Sequence, residues 1–235
     1  MFKQEKLVSY SMLDENWRLA PVSILNIFQD IATDASAAVY PTDELKADGY
    51  AWLVISTRFQ VTRYPQIGEK LTVATFPKSF RKIFAERGYE IYDAGGEVII
   101  RGSSLWLLYD VKNEKAAMIG NDISGRYVIE DREMLPVIRR DIQMPDMAQK
   151  LKEYTVQKRD IDSNHHVNNA KYIEFALEML DGDGEIKELE IFYRHAAVEG
   201  DNLLVYTASQ EDDVFCEIKK ENGDVCVTIK AEMKK

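Results

Sequence analysis

Residues 160–169, DIDSNHHVNN, carry the densest set of groups capable of acid–base chemistry in the 235-residue chain. The stretch holds two carboxylates, three carboxamides and two adjacent imidazoles. A carboxylate can activate water as a general base, and an imidazole that titrates near neutrality can hydrogen-bond a reacting carbonyl or the water. We therefore interpret Asp162 as the base of a hydrolytic site, with His166 and Asn164 as the groups that assist and orient.

Two other kinds of chemistry fit these residues less well. A metal site is disfavoured because His165 and His166 are neighbours, His195 is remote, and no HExxH or CxxC spacing is present. A Ser-His-Asp hydrolase is disfavoured because the chain has no GxSxG motif and no repeating βαβ pattern. Helix capping and turn formation explain Asp160 and Ser163. We predict neither a metal ion nor a cofactor.

The residues that follow the motif have the pattern of a helix. Apolar residues recur every three or four positions from Val167 to Leu180, and Gly182 is a typical stop signal. The motif would then lie at a helix N-terminus, where backbone N–H groups are unpaired and the dipole is positive. We therefore predict that N–H groups of Val167, Asn168 and Asn169 stabilise a developing oxyanion.

The two halves of the chain repeat one pattern. A polar triplet, at 14–16 and again at 162–164, precedes each helix, and Pro21 lies near the first turn of the first one. Strand-like segments follow in both halves, at 50–65, 69–80, 83–94 and 97–110, and at 187–196, 201–210, 213–220 and 224–233. The second half has His166 where the first has Arg18, so we expect the second half to be the active one.

This pattern predicts an α+β chain built from two tandem units. We place the first domain at residues 1–125, a polar linker at 126–152, and the second domain, which carries the motif, at 153–235. Cys216 and Cys226 flank an Asn-Gly hairpin turn, and in its register Cys216 faces Ile229 while Cys226 faces Lys219. We therefore predict two ordinary strand cysteines and no disulfide.

Composition narrows the class of protein. The formal net charge of −10 argues against a general binder of nucleic acid or anionic membranes. No apolar run approaches the length of a membrane span, and the N-terminus lacks the apolar region of a signal peptide. We expect a cytoplasmic protein without membrane insertion, either a monomer or a homodimer.

The chain resembles the acyl-[acyl-carrier-protein] thioesterase family, the bacterial relatives of the plant fatty-acyl enzymes. The family motif D-x-N-x-H-V-N-N-x-x-Y matches DSNHHVNNAKY at 162–172, and the RYP and SxW signatures match residues 63–65 and 104–106. The resemblance implies a double hot-dog fold, in which each of two tandem units has a long helix wrapped by an antiparallel sheet. It implies hydrolysis of fatty acyl-carrier-protein thioesters to free fatty acid and holo carrier protein, with Asp162, Asn164 and His166 as the catalytic set.

The segment FYRHAAVEGD departs from the family pattern. The plant enzymes have Tyr-Arg-Arg-Glu-Cys there, and this chain has Ala196 and Ala197 at the Glu and Cys positions. Because alanine can be neither base nor nucleophile, either Asp162 suffices with water, or His195 or Glu199 substitutes. Two other functions therefore stay open: hydrolysis of acyl-CoA by the same fold, and acyl binding without catalysis.

A basic segment is the candidate site for docking the acidic carrier protein. Residues 77–87, PKSFRKIFAER, offer Lys78, Arg81, Lys82 and Arg87. The alternative interpretation is a solvated hairpin edge, whose charges prevent edge-to-edge aggregation.

Overall fold

Long antiparallel strands make up most of the regular structure in the computed structural model, which describes residues 1–177 and 185–234. The chain divides into two units, Met1–Val137 and Ile138–Lys235. Each unit combines helical structure with antiparallel strands, so the predicted α+β class is confirmed. None of the described helices is both long enough and apolar enough to cross a bilayer.

The first unit builds its sheet in the order β1-β3-β4-β5-β2, and a short β6 pairs with β5. Its elements in chain order are β1 (Phe2–Leu7), α1 (Pro21–Ala37), α2 (Thr42–Ala47), β2 (Tyr50–Val61), β3 (Lys70–Arg81), β4 (Phe84–Tyr92), β5 (Val98–Asp110), β6 (Lys115–Ala116) and α3 (Asn121–Ser124). The predicted strands from 50 to 110 match β2 to β5, whereas β1 and α2 were not predicted.

Helix α1 begins at Pro21, where the missing N–H costs no intrahelical bond. Its apolar stripe is buried, and the Phe28 ring stacks on Tyr89 of β4 with ring centroids 4.3 Å apart. Gly102 of β5 makes this approach possible, because a Cβ there would lie 2.3 Å from the Phe28 ring. Burying one such aromatic side chain stabilises the folded state by about 1.5–3 kcal/mol. This contact therefore holds the helix against this face of the sheet.

The second unit builds its sheet in the order β8-β11-β10-β9-β7. Its elements are β7 (Gln149–Thr155), α4 (Lys171–Leu177), β8 (Ile186–Tyr193), β9 (Asn202–Gln210), β10 (Asp213–Lys220) and β11 (Val225–Met233). Strands β8 to β11 agree with the predicted segments. The predicted helix start at Val167 is wrong, because α4 begins at Lys171; Leu180 and Gly182 lie outside the described residues.

The predicted repeat extends to individual backbone hydrogen bonds. In each unit, one valine ahead of the helix exchanges two hydrogen bonds with a glycine-containing turn. The valines are Val8 and Val156, and their partners are Glu69 with Gly68 and Asp201 with Gly200, all at 2.9–3.0 Å. Both glycines have positive φ, 80° and 88°, which only a residue without Cβ adopts readily.

The predicted linker at 126–152 is partly built into the two units. Tyr127 is buried, and its hydroxyl hydrogen-bonds Ser36 Oγ at 2.8 Å. Arg132 donates to Glu90 Oε2 at 2.9 Å. Strand β7 begins at Gln149, inside the predicted linker. This segment therefore contributes packing and ion pairs to the units that it joins.

Candidate active site

The polar motif forms a tight loop, residues 162–166, which we call the second-unit loop. Ile161 and Val167 pair as a β-bridge at its base, and Asp162 N–H donates to the His166 carbonyl at 2.8 Å. His165 occupies the left-handed region at φ 63° and donates its N–H to the Asp162 carbonyl at 3.1 Å. Both imidazoles are exposed on this loop.

The Asp162 carboxylate organises the second-unit loop. Its Oδ1 accepts the Asn164 N–H at 2.8 Å and, at a longer 3.4 Å, the His166 N–H. Its Oδ2 accepts Asn164 Nδ2 at 3.3 Å. The three predicted catalytic side chains are therefore carried by one loop. A carboxylate has about four acceptor positions, so Oδ2 retains capacity for a water molecule.

Residues 14–18 form a matching first-unit loop. Asp14 Oδ1 accepts the N–H groups of Asn16 and Arg18 at 2.9 and 3.0 Å, and Trp17 adopts φ 62°. Asp14 N–H donates to the Arg18 carbonyl at 2.8 Å. Here Arg18 Nε also donates to Asp14 Oδ2 at 3.1 Å, so the second carboxylate oxygen is engaged in an ion pair. Aspartate and asparagine thus build both loops, and the imidazole of His166 distinguishes the second.

Two of the predicted oxyanion donors are already occupied. Val167 N–H donates to the Ala197 carbonyl at 2.9 Å, and Asn168 N–H donates to the Asp160 carbonyl at 2.9 Å. The prediction that these two N–H groups stabilise an oxyanion is therefore wrong. The physical reason is that this backbone is held in a bridge and a turn, and α4 begins only at Lys171.

Asn168 and Asn169 prepare the start of α4. Asn168 Oδ1 accepts the Ala170 N–H at 2.8 Å, and its carbonyl accepts the Lys171 N–H at 2.9 Å. The Asn169 carbonyl accepts the Tyr193 hydroxyl at 3.3 Å. Asn168 therefore has a capping role, whereas the predicted oxyanion role of the Asn169 N–H stays a prediction.

Asp160, for which a capping role is predicted, hydrogen-bonds the residues that precede the second-unit loop. Its side chain is buried, with Oδ2 accepting the Tyr154 hydroxyl at 2.6 Å and the Gln157 N–H at 2.8 Å. The pKa of Tyr154 is raised, mainly by burial and also by the hydrogen bond of its hydroxyl to Asp160. Asp160 thus fixes the backbone that carries the second-unit loop.

Ala197, at the family Cys position, is fully buried and holds the loop through its backbone. Its carbonyl accepts the Val167 N–H, and its N–H donates to the Tyr172 hydroxyl at 3.2 Å. Burial raises the pKa of Tyr172 well above its usual range, so the hydroxyl stays protonated. Tyr172 therefore positions Ala197, and through it the base of the second-unit loop.

The two residues considered as substitutes for the family Glu and Cys are both exposed. His195 Nδ1 lies 2.9 Å from the Val225 carbonyl oxygen, so one ring nitrogen is engaged with backbone. Glu199 is exposed two residues beyond Ala197, and Ala196 is exposed as well. Among the described residues, no side chain of residues 195–199 forms a hydrogen bond or an ion pair with the second-unit loop. None of them therefore takes the place of the family Glu.

Both cysteines are free and buried. Burial raises the pKa of Cys216 to about 12 and that of Cys226 to about 11, so neither thiol forms a thiolate near neutrality. Cys216 pairs with Ile229 as predicted, but a bulge pairs Lys219 with Val225, so the predicted facing of Cys226 and Lys219 is wrong. Among residues 1–177 and 185–234, no three His, Cys, Asp or Glu side chains are grouped to hold a metal ion.

The predicted docking residues separate into a surface set and a buried one. Arg81 and Lys82 are exposed at the turn between β3 and β4, and Lys78 pairs with Asp131 at 2.9 Å. Arg87 is only 8% exposed, and burial lowers its pKa. Arg87 is therefore wrongly included in a surface docking patch.

Two domain models match this chain. The acyl-ACP thioesterase N-terminal domain covers residues 1–127, and the acyl-ACP thioesterase C-terminal domain covers residues 143–235. The chain belongs to the acyl-ACP thioesterase family. Its second-unit loop is thus carried by the C-terminal domain of that family.

Plant proteins are among the curated relatives of this family member. A chloroplastic acyl-[acyl-carrier-protein] hydrolase of Cuphea viscosissima is 31% identical over 144 residues, which cover 58% of this chain and 35% of the relative. The oleoyl-acyl carrier protein thioesterase 2 of Arabidopsis thaliana is 23% identical over 228 residues, covering 86% of this chain and 61% of that protein. The chain therefore spans between about one third and three fifths of the length of these two relatives.

Solved structures show the same fold. An acyl-ACP thioesterase from Bacteroides thetaiotaomicron superposes with a TM-score of 0.91 at 22% identity, covering 99% of this chain and 97% of that one. The 12:0-ACP thioesterase from Umbellularia californica superposes with a TM-score of 0.81 at 18% identity, covering 99% and 96%. The double hot-dog fold implied by the sequence resemblance is confirmed.

Proposed function

We propose that this chain hydrolyses fatty acyl-[acyl-carrier-protein] thioesters to free fatty acid and holo carrier protein at the second-unit loop. The observation that carries the proposal is the grouping of a carboxylate, a carboxamide and an exposed imidazole on one hydrogen-bonded loop, in a chain of the acyl-ACP thioesterase family. The plant relatives, an acyl-[acyl-carrier-protein] hydrolase and an oleoyl-acyl carrier protein thioesterase, support the same reaction.

Asp162 acts as the general base. Its Oδ1 is held by backbone N–H groups, so Oδ2 is the oxygen that takes a proton from water. The water oxygen bonds to the thioester carbonyl carbon and gives a tetrahedral oxyanion. When that intermediate collapses, the C–S bond breaks, the electron pair leaves with sulfur, and the released thiolate takes up a proton.

His166 and Asn164 supply the polar contacts that the backbone does not. The N–H groups of Val167 and Asn168 are engaged, so side-chain donors from the loop stabilise the oxyanion instead. An N–H of the His166 imidazole can donate to that oxygen, and the proton that Asp162 took from water passes to the leaving sulfur. Asn164, whose Nδ2 contacts Asp162 Oδ2, keeps the carboxylate oriented toward water.

Direct attack by water is favoured over a thiol nucleophile. Ala197 stands at the family Cys position, and Cys226 has a pKa of about 11 because it is buried. A buried, protonated thiol is a poor nucleophile. The reaction therefore needs no covalent acyl-enzyme.

We further propose that the acidic carrier protein docks on Lys78, Arg81 and Lys82. Replacing both Arg81 and Lys82 by glutamate is expected to lower kcat/KM for acyl-carrier substrate about 10-fold at low salt, with a smaller loss at high salt. Lys112→Glu, at another exposed turn of the first unit, is the matched control. Equal losses in both variants, or a loss that salt does not change, contradict this docking surface.

Acyl binding without turnover is the second candidate function. It is favoured by Ala196 and Ala197, which replace the family acid and thiol. Single-turnover mixing of the protein with acyl-carrier thioester separates the two functions, because only a hydrolase releases free fatty acid. Retention of intact thioester in a stable complex supports the binding protein and contradicts the hydrolase.

A further inference from the structure

Four large apolar side chains lie exposed beside one another at the first-unit loop. The Tyr10 and Trp17 rings meet edge to face, with their centroids 6.1 Å apart. The residue after Trp17 forms a β-bridge with the residue before Ile67, and the residue after Leu7 accepts the N–H of the residue after Ile67 at 2.9 Å. We call these four residues the first-unit patch, and their exposed fractions are 54%, 74%, 60% and 46% for Leu7, Tyr10, Trp17 and Ile67.

Tryptophan is a costly residue at position 17. Its φ of 62° lies in the left-handed region, which bulky side chains rarely adopt and which suits glycine or asparagine better. Its indole recovers little of this cost by burial, because more than half of the side chain is exposed in the single chain. The presence of Trp17 is therefore better explained by a contact outside the single chain than by stability.

The second unit shows that the fold needs no apolar residue at these positions. Its loop repeats the backbone of the first, because His165 N–H donates to the Asp162 carbonyl as Trp17 N–H donates to the Asp14 carbonyl, at 3.1 and 3.2 Å. The positions of the first-unit patch are taken there by polar residues, namely Thr155, Lys158, His165 and Glu199. The apolar cluster at these positions thus belongs to the first unit.

We propose that the first-unit patch is the interface at which two copies of this chain associate about a two-fold axis. Exposed aromatic side chains of this kind form the centres of protein–protein interfaces. A two-fold interface must be complementary to itself, and charges of both signs border the patch. Glu15 lies in the first-unit loop and Lys70 lies directly opposite Leu7 in the sheet, so the exposed acid of one copy can face the exposed base of the other.

The border charges favour a second copy over an acidic partner. Arg18 and Arg63, the arginines nearest the patch in the fold, are already paired with Asp14 and Glu69 at 3.1 and 2.9 Å. The patch therefore lacks the surplus of positive charge that attracts an acidic carrier protein or an anionic membrane. This inference concerns assembly and does not depend on the proposed hydrolysis.

The test replaces the aromatic pair by the residues that the second unit has at the same positions. Sedimentation velocity is expected to show a dimer for the wild-type chain, and a dimer dissociation constant at least about 10-fold higher for Tyr10→Lys/Trp17→His, as for the loss of two central interface residues. Val128→Lys removes another exposed apolar side chain of the first unit, so it is the matched control and is expected to leave the constant unchanged. Circular dichroism verifies folding, and if Tyr10→Lys/Trp17→His fails to fold, Ile67→Glu changes one residue with the same expectation.

Exchange of the border charges tests the two-fold arrangement itself. Glu15→Lys alone and Lys70→Glu alone are each expected to weaken the dimer about 3- to 10-fold, because like charges then face each other across the interface. The chain that carries both changes is expected to regain the wild-type dissociation constant. A loss that the double variant does not restore, or no loss in either single variant, overturns the two-fold arrangement.

Several results overturn the inference as a whole. A wild-type chain that sediments as a monomer at every concentration, or a dimer that Tyr10→Lys/Trp17→His leaves unchanged, removes the patch as an interface between copies. Binding of vesicles of phosphatidylcholine and phosphatidylglycerol by a monomeric wild-type chain, lost in that variant, assigns the patch to a membrane surface instead. Loss of carrier-protein binding in that variant, without a change of oligomeric state, assigns the patch to the carrier protein.

Discussion

Replacing Asp14 and Asp162 by asparagine, one at a time, separates the structural role of this carboxylate from its proposed chemical role. The two side chains accept equivalent backbone hydrogen bonds in the first-unit and second-unit loops. Only Asp162 shares its loop with an imidazole, His166. The same substitution therefore perturbs two similar loops, of which one is proposed to be catalytic.

The contacts predict opposite rankings for stability and activity. Asp14 accepts three hydrogen bonds of 2.9–3.1 Å, two of them from Arg18, whereas Asp162 accepts one of 2.8 Å and two longer ones of 3.3 and 3.4 Å. Hydrogen bonds to a charged group contribute about 1.5–3 kcal/mol each, and neutral ones about 0.5–1.5 kcal/mol. Since asparagine keeps a neutral acceptor, we expect a loss of about 2–3 kcal/mol for Asp14→Asn and about 1 kcal/mol for Asp162→Asn.

We expect the loss of kcat to be larger for Asp162→Asn than for Asp14→Asn, the reverse of the order for stability. Loss of a general base typically lowers kcat about 100- to 10,000-fold, so Asp162→Asn should be nearly inactive while Asp14→Asn retains wild-type kcat. Urea unfolding monitored by circular dichroism and steady-state release of fatty acid from acyl-carrier thioester measure the two quantities. A kcat for Asp162→Asn within about 3-fold of wild type, or equal losses of kcat in both variants, refutes the reasoning.

Three further substitutions examine the surroundings of the second-unit loop. Tyr172→Phe removes the acceptor of the Ala197 N–H, so we expect a loss of about 1 kcal/mol in unfolding free energy together with a lower kcat, measured by denaturation and steady-state kinetics. His166→Arg copies the first-unit loop, so the chain should fold normally but lose turnover, because the arginine would pair with Asp162; wild-type activity in that variant contradicts a role for the imidazole. Cys226→Ser should retain activity, and the wild-type thiol should resist iodoacetamide at pH 8, because burial places its pKa at about 11; rapid alkylation with loss of activity contradicts direct water attack.

The strands and the repeat could be predicted because their signals are local. Period-2 patterns and glycine turns locate β2 to β5 and β8 to β11 with small errors at the ends. The recurrence of Asp-x-Asn ahead of each helix indicates matching loops, and the structure shows matching hydrogen bonds in them. The α+β class and the grouping of Asp162, Asn164 and His166 on one loop follow from these patterns.

The start of α4 could not be predicted from apolar spacing. Val167 fits the helical period, yet it is buried because it forms a bridge with Ile161 and donates its N–H to Ala197. Periodicity reports which residues are buried and does not distinguish a buried loop residue from a buried helical one. The oxyanion prediction failed for Val167 and Asn168 for this reason, since it depended on free N–H groups in the first helical turn.

The burial of Arg87 was missed although the sequence carries a signal for it. Arg87 was grouped with neighbouring charges along the chain, whereas side-chain direction in a strand alternates. In β4 it shares its face with Ala85, Tyr89 and Ile91, which are all buried. Considering alternate positions separates Arg87 from the exposed Arg81 and Lys82. The hydrogen bond from Arg87 Nη1 to Thr75 Oγ1 is not a local property of the sequence, and only the three-dimensional structure shows it.

The release of free fatty acid from acyl-carrier thioester by the purified chain tests the central claim most directly. The assay compares kcat/KM for the carrier-protein thioester with that for the CoA thioester of the same acyl group, using Asp162→Asn as the inactive reference. We predict turnover by wild type, with the carrier-protein thioester preferred, and little turnover by the variant. Absence of fatty acid release from the carrier-protein thioester, or release at the same rate by Asp162→Asn, contradicts the account.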